Sequence, residues 1–263
     1  MTKGQTAALR ERVERERHAH SDDDVLAHSQ ALKDRFPHVQ RAPSSLRLQR
    51  DLRSYFKDLQ GTRVLDLGCG RGELSLDLLD QGAAVVGVDI STTYIDELRA
   101  KARRGGYGKE SAEFHVMDAH ALELDSASFD LVTGRGILHH LDLDVCLAEI
   151  HRVLRPGGRA LFVEPLAGNP LLRLFRRLTP AARTSDEKPL SGRDLQRIAK
   201  TWRVDSTFYG LVNTPVAVIT SILLRPYPNN ILLRVADKLE LILNRFRPLR
   251  PFNQYVLLNL VRP

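Results

Sequence analysis

The chain has 263 residues, 43% of them hydrophobic, enough for one α/β domain with an added element but short for two domains. Its two cysteines, Cys69 and Cys146, lie outside any cluster of histidines or cysteines, which argues against a structural zinc site or a disulfide scaffold. No run reaches the ~20 apolar residues of a membrane span, and the charged N-terminal segment lacks the apolar core of a signal peptide. We therefore expect a cytoplasmic protein without a metal site.

The net charge of +7 is unevenly distributed along the chain. Residues 1–150 carry 20 Lys/Arg against 25 Asp/Glu, a net charge of −5, whereas residues 151–263 carry 19 against 7, a net charge of +12. Such a division bears on partners rather than on the fold. It is consistent either with a solvated basic surface or with an anionic ligand bound by the C-terminal half.

In chain order, a polar helical segment comes first, and short apolar strands then alternate with helices. Residues 1–36 are charged and helical in pattern, with Ser21 placed to cap a helix, and residues 44–58 predict an amphipathic helix. Strands are predicted at residues 63–67, 84–89, 113–116, 129–133, 159–164, 202–209 and 253–260, with helices at 73–81, 93–104 and 143–154. This alternation indicates a parallel sheet with right-handed crossovers.

A glycine-rich loop follows the first strand in the segment VLDLGCGRGE. Glycines are needed where the backbone turns tightly or where a ligand lies against main-chain amides. The dinucleotide fingerprint GxGxxG is not matched, because Glu73 stands where its third glycine would be. Asp66, which precedes the loop, suits a cationic group such as the ammonium of an amino acid better than a pyrophosphate.

Acidic residues also follow the next two predicted strands. Asp89 ends the second strand, 19 residues after Gly70, where this kind of fold places an acid against ribose hydroxyls. Ile90 would then lie against an adenine ring. Asp118 could accept a hydrogen bond from an exocyclic amine, with Met117 packed on the ring. The alternatives are a helix cap for Asp89 and a turn residue for Asp118, but the repeated position at strand ends favours a ligand site.

Together these segments resemble the class I methyltransferases that use S-adenosylmethionine (SAM), in particular the large bacterial group that acts on small molecules. The resemblance spans residues 62–165 and comprises VLDLGCGRGE, VVGVDIS, HVMDA, FDLVTGRGILHHL and LRPGGRALFVEP, in the family's order. It implies a Rossmann-like α/β fold with a seven-stranded sheet whose last strand is antiparallel. It also implies SAM as the cofactor.

The resemblance assigns the methionine end of SAM to the glycine loop, the ribose to the end of the second strand and the adenine to the end of the third. Arg135, just past the fourth strand, would lie beside the sulfonium through its backbone. The predicted SAM-binding residues are Asp66, Gly68, Cys69, Gly70, Asp89, Ile90, Met117, Asp118, Ala119 and Arg135.

Three histidines are candidates for a catalytic role. Methyl transfer from SAM needs a base only if the acceptor must lose a proton. His139 and His140 follow the fourth strand, where a histidine could act as that base or could hold the loop. His18 lies in a segment that resembles an N-terminal lid helix of some relatives, although Arg17 and Ala19 depart from that pattern.

The segment after the fifth strand is where an acceptor pocket is expected. Asn169 can cap a short basic amphipathic helix that begins at Pro170. Arginines on this helix and after it could bind a carboxylate or phosphate. The predicted acceptor residues are Glu164, Asn169, Arg176 and Arg183. Between the last two strands, residues 211–250 predict a helical cap that could form an apolar pocket wall through Val216, Val218, Ile219, Ile222 and Leu223, a dimer face or a membrane contact.

The sequence therefore predicts four parts: an N-terminal helical lid (residues 1–43), a SAM-binding core (44–210), a helical cap (211–250) and a final core strand (251–263). The predicted function is SAM-dependent methyl transfer, most readily to oxygen, with nitrogen and carbon left open. The acceptor would be a small, partly apolar and anionic molecule of bacterial secondary metabolism. The alternatives are an RNA or tRNA methyltransferase and an enzyme acting on a lipid at a membrane surface. The missing (D/N/S)PP(Y/F) motif disfavours nucleic acid, while peripheral membrane contact and a homodimer are left open.

Overall fold

A computed structural model of the chain describes residues 11, 14, 23–179 and 187–263. The strands are β1 (Arg63–Leu67), β2 (Ala84–Asp89), β3 (Ala112–Val116), β4 (Phe129–Arg135), β5 (Leu154–Pro165), β6 (Arg203–Tyr209) and β7 (Tyr255–Val261). The α-helices are α1 (Asp23–Arg35), α2 (Pro37–Arg41), α3 (Pro43–Ser54), α4 (Glu73–Asp80), α5 (Thr92–Arg104), α6 (Leu143–Val153), α7 (Pro170–Leu178), α8 (Gly192–Thr201), α9 (Asn213–Leu223) and α10 (Ile231–Leu243). Short 3₁₀ helices lie at Leu138–His140 and Arg247–Phe252.

The strands form one seven-stranded sheet in the order β3-β2-β1-β4-β5-β7-β6. Strands β1 to β5 are parallel, and β7 runs antiparallel to both β5 and β6. Helices cover both faces, so Val64, Leu65 and Leu67 of β1 are fully buried. Because the ends of parallel strands meet at one edge, this topology brings the loops after β1, β2, β3 and β4 together.

The N-terminal helices are attached to the cap by buried polar contacts. The His38 backbone amide donates to Ser221 Oγ at 3.0 Å, and its ring nitrogens lie 2.9 Å from Thr220 Oγ1 and 3.1 Å from the Arg225 carbonyl. Since that carbonyl can only accept, Nε2 carries a proton and donates it. Helix α2 is thereby fixed to α9.

A buried carboxylate organises the cap. Glu240 on α10 is fully buried and accepts hydrogen bonds from the backbone amides of Gly210, Val212 and Asn213, all at 2.9–3.0 Å. Arg47 on α3 lies 3.5 Å from the same carboxylate and 2.8 Å from Asp237. The turn that leads from β6 into α9 is therefore held to α10 by charge-assisted bonds.

The predicted seven-stranded α/β sheet, with its last strand antiparallel, is confirmed. Several boundaries differ from the predicted ones. Strand β4 continues to Arg135, so that residue ends the strand instead of following it. Strand β5 begins at Leu154, because the Arg155–Arg159 segment also lies in the sheet. Ser21 lies outside the described residues. The four-part division stays a prediction. Within the described residues, no helix is long and apolar enough to cross a membrane.

Candidate active site

The loop after β1 turns tightly because Gly68 and Gly70 have φ values of 69° and 51°, in the left-handed region that other residues rarely adopt. The amides of Gly68 and Cys69 donate to the Val88 carbonyl, and the amide of Gly70 donates to Asp89 Oδ2 at 2.9 Å. A Cβ atom on Gly70 would meet nothing within 4 Å. The end of β2 thus supports the loop and leaves open space at Gly70.

A cavity of about 670 Å³ lies against this loop, and we call it the glycine-loop cavity. It is lined by Gln30, Lys33, Asp66, Gly68, Cys69, Arg71, Gly72, Glu73, Leu74, Tyr94 and Arg135. Four of the predicted SAM-binding residues, Asp66, Gly68, Cys69 and Arg135, are among them. The α4 N-terminus also lies here, starting at Glu73.

Asp66 is the buried acid of the glycine-loop cavity. Its burial raises the pKa to about 7, against the lowering effect of the Ser75 hydroxyl, which donates to Oδ2 at 2.6 Å. Asp89 raises this pKa further, and Arg135 lowers it. A cationic group bound beside Asp66 would stabilise the carboxylate and lower its pKa again. The electrostatics therefore suit an ammonium ligand, as the sequence predicts.

The other predicted SAM residues lie at the neighbouring strand ends, outside the lining of that cavity. Asp89 ends β2, and its second oxygen, Oδ1, accepts from the Ser91 amide at 2.9 Å. The amide of Met117 donates to the Asp89 carbonyl, which places the end of β3 beside the end of β2. Asp118 Oδ1 accepts from both the backbone amide and the ring Nδ1 of His120. Ile90 and Ala119 lie in the same two loops.

His139 is held between two carboxylates. Its Nδ1 lies 2.8 Å from Glu164 Oε2, and its Nε2 lies 3.5 Å from Glu187 Oε1. Burial lowers the pKa of His139, but the two glutamates outweigh it and raise the pKa to about 9. At neutral pH the ring is therefore mainly an imidazolium, which cannot accept a proton. This geometry favours a positively charged, orienting role over that of a general base.

Glu164 fixes the loop that carries both histidines. It is fully buried and accepts from the amides of Ile137, Leu138 and His139 in addition to the His139 ring. The carboxylate therefore stabilises the 3₁₀ turn by four hydrogen bonds. His140 is half-buried, with its ring centroid 4.1 Å from that of His139.

A second cavity, of about 320 Å³, lies under the cap, and we call it the cap cavity. Helices α1, α2, α7 and α9 wall it above the ends of the central strands. Its apolar lining is Leu32, Phe36, Val39, Leu172, Phe175, Val218 and Tyr255, and its charged lining is Lys33, His139, Arg176 and Glu187. Phe36 and Phe175 meet edge to face at 5.3 Å, which joins the N-terminal helices to α7.

The two cavities adjoin each other. Lys33 lines both, and the consecutive residues Arg135 and Gly136 line one each. A ligand in the glycine-loop cavity would therefore lie next to a ligand in the cap cavity.

Of the predicted acceptor residues that the structure describes, one lines the cap cavity and two do not. Arg176 lines the cap cavity and donates to the Leu166 carbonyl at 3.0 Å. Asn169 instead caps α7 and donates to the Phe252 carbonyl at 2.9 Å. Glu164 does not line the cavity but contacts His139, which does. Arg183 and His18 lie outside the described residues.

Sequence reasoning missed several cavity residues. Lys33 and Phe36 lie in the predicted N-terminal lid but are not predicted as site residues, and Glu187 lies in a stretch predicted only as a polar loop. Of the five residues predicted as the apolar cap wall, Val218 lines the cavity. Ile219, Ile222 and Leu223 are exposed to solvent, and Val216 packs in a small cluster with Ala217 and Leu233. The described residues include no group of three or more His, Cys, Asp or Glu side chains placed to hold a metal ion.

Comparisons with known proteins agree with this arrangement. Residues 65–162 match a family model described as a methyltransferase domain. The chain is 36% identical over 123 residues to a demethylmenaquinone methyltransferase of Lactococcus lactis subsp. lactis (strain IL1403), covering 45% of this chain and 47% of that protein. It is 38% identical over 151 residues to a malonyl-[acyl-carrier protein] O-methyltransferase of Enterobacter lignolyticus (strain SCF1), covering 57% and 53%. The chain thus spans about half the length of these curated relatives.

Among solved structures, geranyl diphosphate C-methyltransferase from Streptomyces coelicolor A3(2) matches with a TM-score of 0.56 and 17% identity, covering 82% of this chain and 80% of that chain. At this identity the likeness concerns the fold alone. Residues 65–162 are thus similar to a methyltransferase domain, and the sheet order and glycine loop are those expected for the class I, SAM-dependent type.

Proposed function

We propose that this protein transfers a methyl group from SAM to a small acceptor bound in the cap cavity. The observation that carries the proposal is the junction of the two cavities at Lys33 and at Arg135–Gly136. SAM in the glycine-loop cavity would supply an activated methyl group at this junction. The reaction is then largely a matter of positioning two ligands in line.

The proposed SAM-binding roles are those that the resemblance implies, and the placement of the strand ends is compatible with them. Asp66, with its pKa near 7, would take the ammonium of the methionine end. Asp89 would accept from the ribose hydroxyls while keeping its two backbone hydrogen bonds. Ile90, Met117, Asp118 and Ala119 would surround the adenine. The exposed β4 end at Arg135 would contact the reacting centre through its backbone.

The acceptor is proposed to be small, partly apolar and anionic. A cavity of about 320 Å³ is at the small end of the range for ligand sites. Three cationic side chains line this cavity: Lys33, Arg176 and protonated His139. Among the lining residues that the structure describes, Glu187 is the single carboxylate. The aromatic and aliphatic walls would hold the remainder of the molecule.

Oxygen is the favoured methyl acceptor. An imidazolium at His139 cannot remove a proton, so an acceptor that is already an anion at neutral pH, such as a carboxylate or an acidic phenol, fits the site best. The cationic lining would also favour its ionised form. The relatives named above, which include an O-methyltransferase and a quinone-pathway methyltransferase by name, support a small-molecule acceptor over nucleic acid.

The test is turnover of methyl-labelled SAM with fractionated metabolite extracts, followed by identification of the labelled product. On that product, Arg176→Ala should raise the KM for the acceptor and leave SAM affinity unchanged. Arg177→Ala, on the exposed side of the same helix, is the matched control and should change neither. Labelling confined to RNA would overturn the proposal, as would an equal KM effect in both variants.

A further inference from the structure

The outer face of the cap is apolar and exposed. On α9, Ile219, Ile222 and Leu223 are 52%, 63% and 72% exposed, and Tyr227 follows at 66%. On α10, the exposed apolar residues are Ile231, Leu232, Val235, Leu239, Leu241 and Ile242, and Phe246 follows the helix. The two helices pack against each other, and Ala217 of α9 and Leu233 of α10 share one buried cluster, so the opposite sides of both helices face solvent. Contiguous exposed apolar surface of this kind usually marks an interaction site.

On α10 the apolar residues form one stripe. At about 100° per residue, Ile231, Val235, Leu239 and Ile242 fall within roughly 80° of the helix circumference. The opposite side carries the buried residues Leu233, Ala236 and Glu240. The helix therefore attaches to the protein by one side and presents the apolar stripe to solvent by the other.

Basic residues flank this stripe. Exposed Arg234 and Lys238 lie on one border of it, and exposed Arg245 and Arg247 follow the helix. Residues 211–254 contain six Lys/Arg and two Asp/Glu. Both acids have partners within the protein. Asp237 forms an ion pair with Arg47, and Glu240 forms an ion pair with Arg47 and accepts hydrogen bonds from the backbone. The solvent side of the cap is thus apolar with a positive border.

The apolar face is continuous with the cap cavity. Val218 lines the cavity, and Ile222, one helical turn further along α9, is exposed on the outer face. Helix α7 repeats the arrangement: Phe175 lines the cavity, while Leu171 and Leu178 on neighbouring turns are 59% and 72% exposed. A surface covering this face would border the cavity.

We propose that the outer face of α9 and α10 docks on an anionic lipid bilayer. Apolar side chains would enter the interface between head groups and acyl chains, and the flanking Arg and Lys would contact the lipid phosphates. A second copy of the chain is a poorer occupant, because a two-fold contact would bring the positive borders of the two caps against each other.

The test uses the full chain and vesicles of phosphatidylcholine, either alone or mixed with phosphatidylglycerol. The wild-type protein should co-sediment with the mixed vesicles, less so in high salt, and only weakly with phosphatidylcholine alone. Ile231→Ser combined with Val235→Ser should weaken binding by about tenfold or more. Arg234→Gln combined with Lys238→Gln should weaken it by about fivefold for each charge removed.

Matched controls lie at the far side of the sheet and on α3. Arg103→Gln with Arg104→Gln removes two exposed charges from α5, and Leu46→Ser removes an apolar residue that is 51% exposed. Both should bind vesicles as the wild type does. Equal losses in the controls, equal binding to neutral vesicles or no wild-type binding would overturn the proposal. A stable dimer that the Ile231→Ser/Val235→Ser variant dissociates would also overturn it, since the face would then join two copies. Methyl transfer to a water-soluble acceptor is a separate readout that docking variants should leave unchanged.

Discussion

Asp89 makes two backbone hydrogen bonds, to the amides of Gly70 and Ser91, and is also the proposed ribose ligand. Asp89→Ala should weaken SAM and S-adenosylhomocysteine binding by roughly 1–3 kcal/mol, because charge-assisted hydrogen bonds are lost. Isothermal titration calorimetry measures the effect. Ser91→Ala is the control: it removes the cap of α5 and should lower stability by about 1 kcal/mol while leaving affinity unchanged. Unaltered affinity in Asp89→Ala would remove that residue from the site.

His139 supports a prediction about pH. Its pKa in the folded protein, about 9, lies above the ordinary value of 6.5, so the protonated ring stabilises the fold. That stabilisation is fully present below about pH 6.5 and is lost as the pH rises through about 9. His139→Ala should therefore cost about 3 kcal/mol near neutral pH and clearly less at pH 10.

Thermal unfolding of wild type and variant from pH 6 to 10 measures this difference. His115→Ala, at an exposed site on β3, controls for loss of a histidine as such. A difference between wild type and His139→Ala that stays constant over the whole range would mean that the ring is not charged in the folded protein.

Among individual site residues, the sequence predicts those that a local pattern determines and misses those that depend on tertiary contacts. The glycine loop, Asp66 and Asp89 stand at strand ends, and strand ends are visible in the pattern of apolar runs. Glu187 reaches His139 from a separate loop, and no spacing in the sequence links the two. The raised pKa of His139, and hence the argument against a base, depends on its contacts with both Glu164 and Glu187.

The cap is held in place through α10. Glu240→Gln should lower the free energy of unfolding by roughly 3–5 kcal/mol, because Arg47 would lose a buried charge partner and an NH₂ donor would replace one of the two carboxylate oxygens that accept from the three backbone amides. Urea unfolding followed by circular dichroism measures the loss. Lys238→Gln, on the exposed side of the same helix, should leave stability within about 0.5 kcal/mol of wild type. Equal stability of the two variants would contradict the role given to Glu240.

The cap also shows what periodicity can and cannot predict. The sequence predicts a helical cap at residues 211–250, and the structure has the helices Asn213–Leu223 and Ile231–Leu243 within it. The spacing of apolar residues does not reveal which side faces the protein. Leu233, Ala236 and Glu240 face inward because Glu240 is bound by three amides and Arg47, and this leaves the longer apolar stripe outside.

For the whole molecule, ligand binding should raise stability by mass action. S-adenosylhomocysteine at a hundredfold excess over its Kd should add about 2.7 kcal/mol to the free energy of unfolding. Differential scanning calorimetry detects this as a higher Tm, and the shift should persist in the presence of EDTA. NAD⁺ is the control, since Glu73 replaces the third glycine of the dinucleotide fingerprint. Stabilisation by NAD⁺ instead would contradict the assignment of the glycine loop.

The position of β7 constrains the order in which the sheet can assemble. β6 pairs with β7 in the described sheet, and β7 separates it from β5. The strand that follows the cap in the chain must therefore insert between two strands that precede the cap. Until it does, β6 lacks the partner that satisfies its backbone, and the buried residues Val256, Leu258 and Leu260 are missing from the core. Closing the sheet is consequently a long-range step of folding, because the residues of the cap lie between the two strands β6 and β7 that must pair.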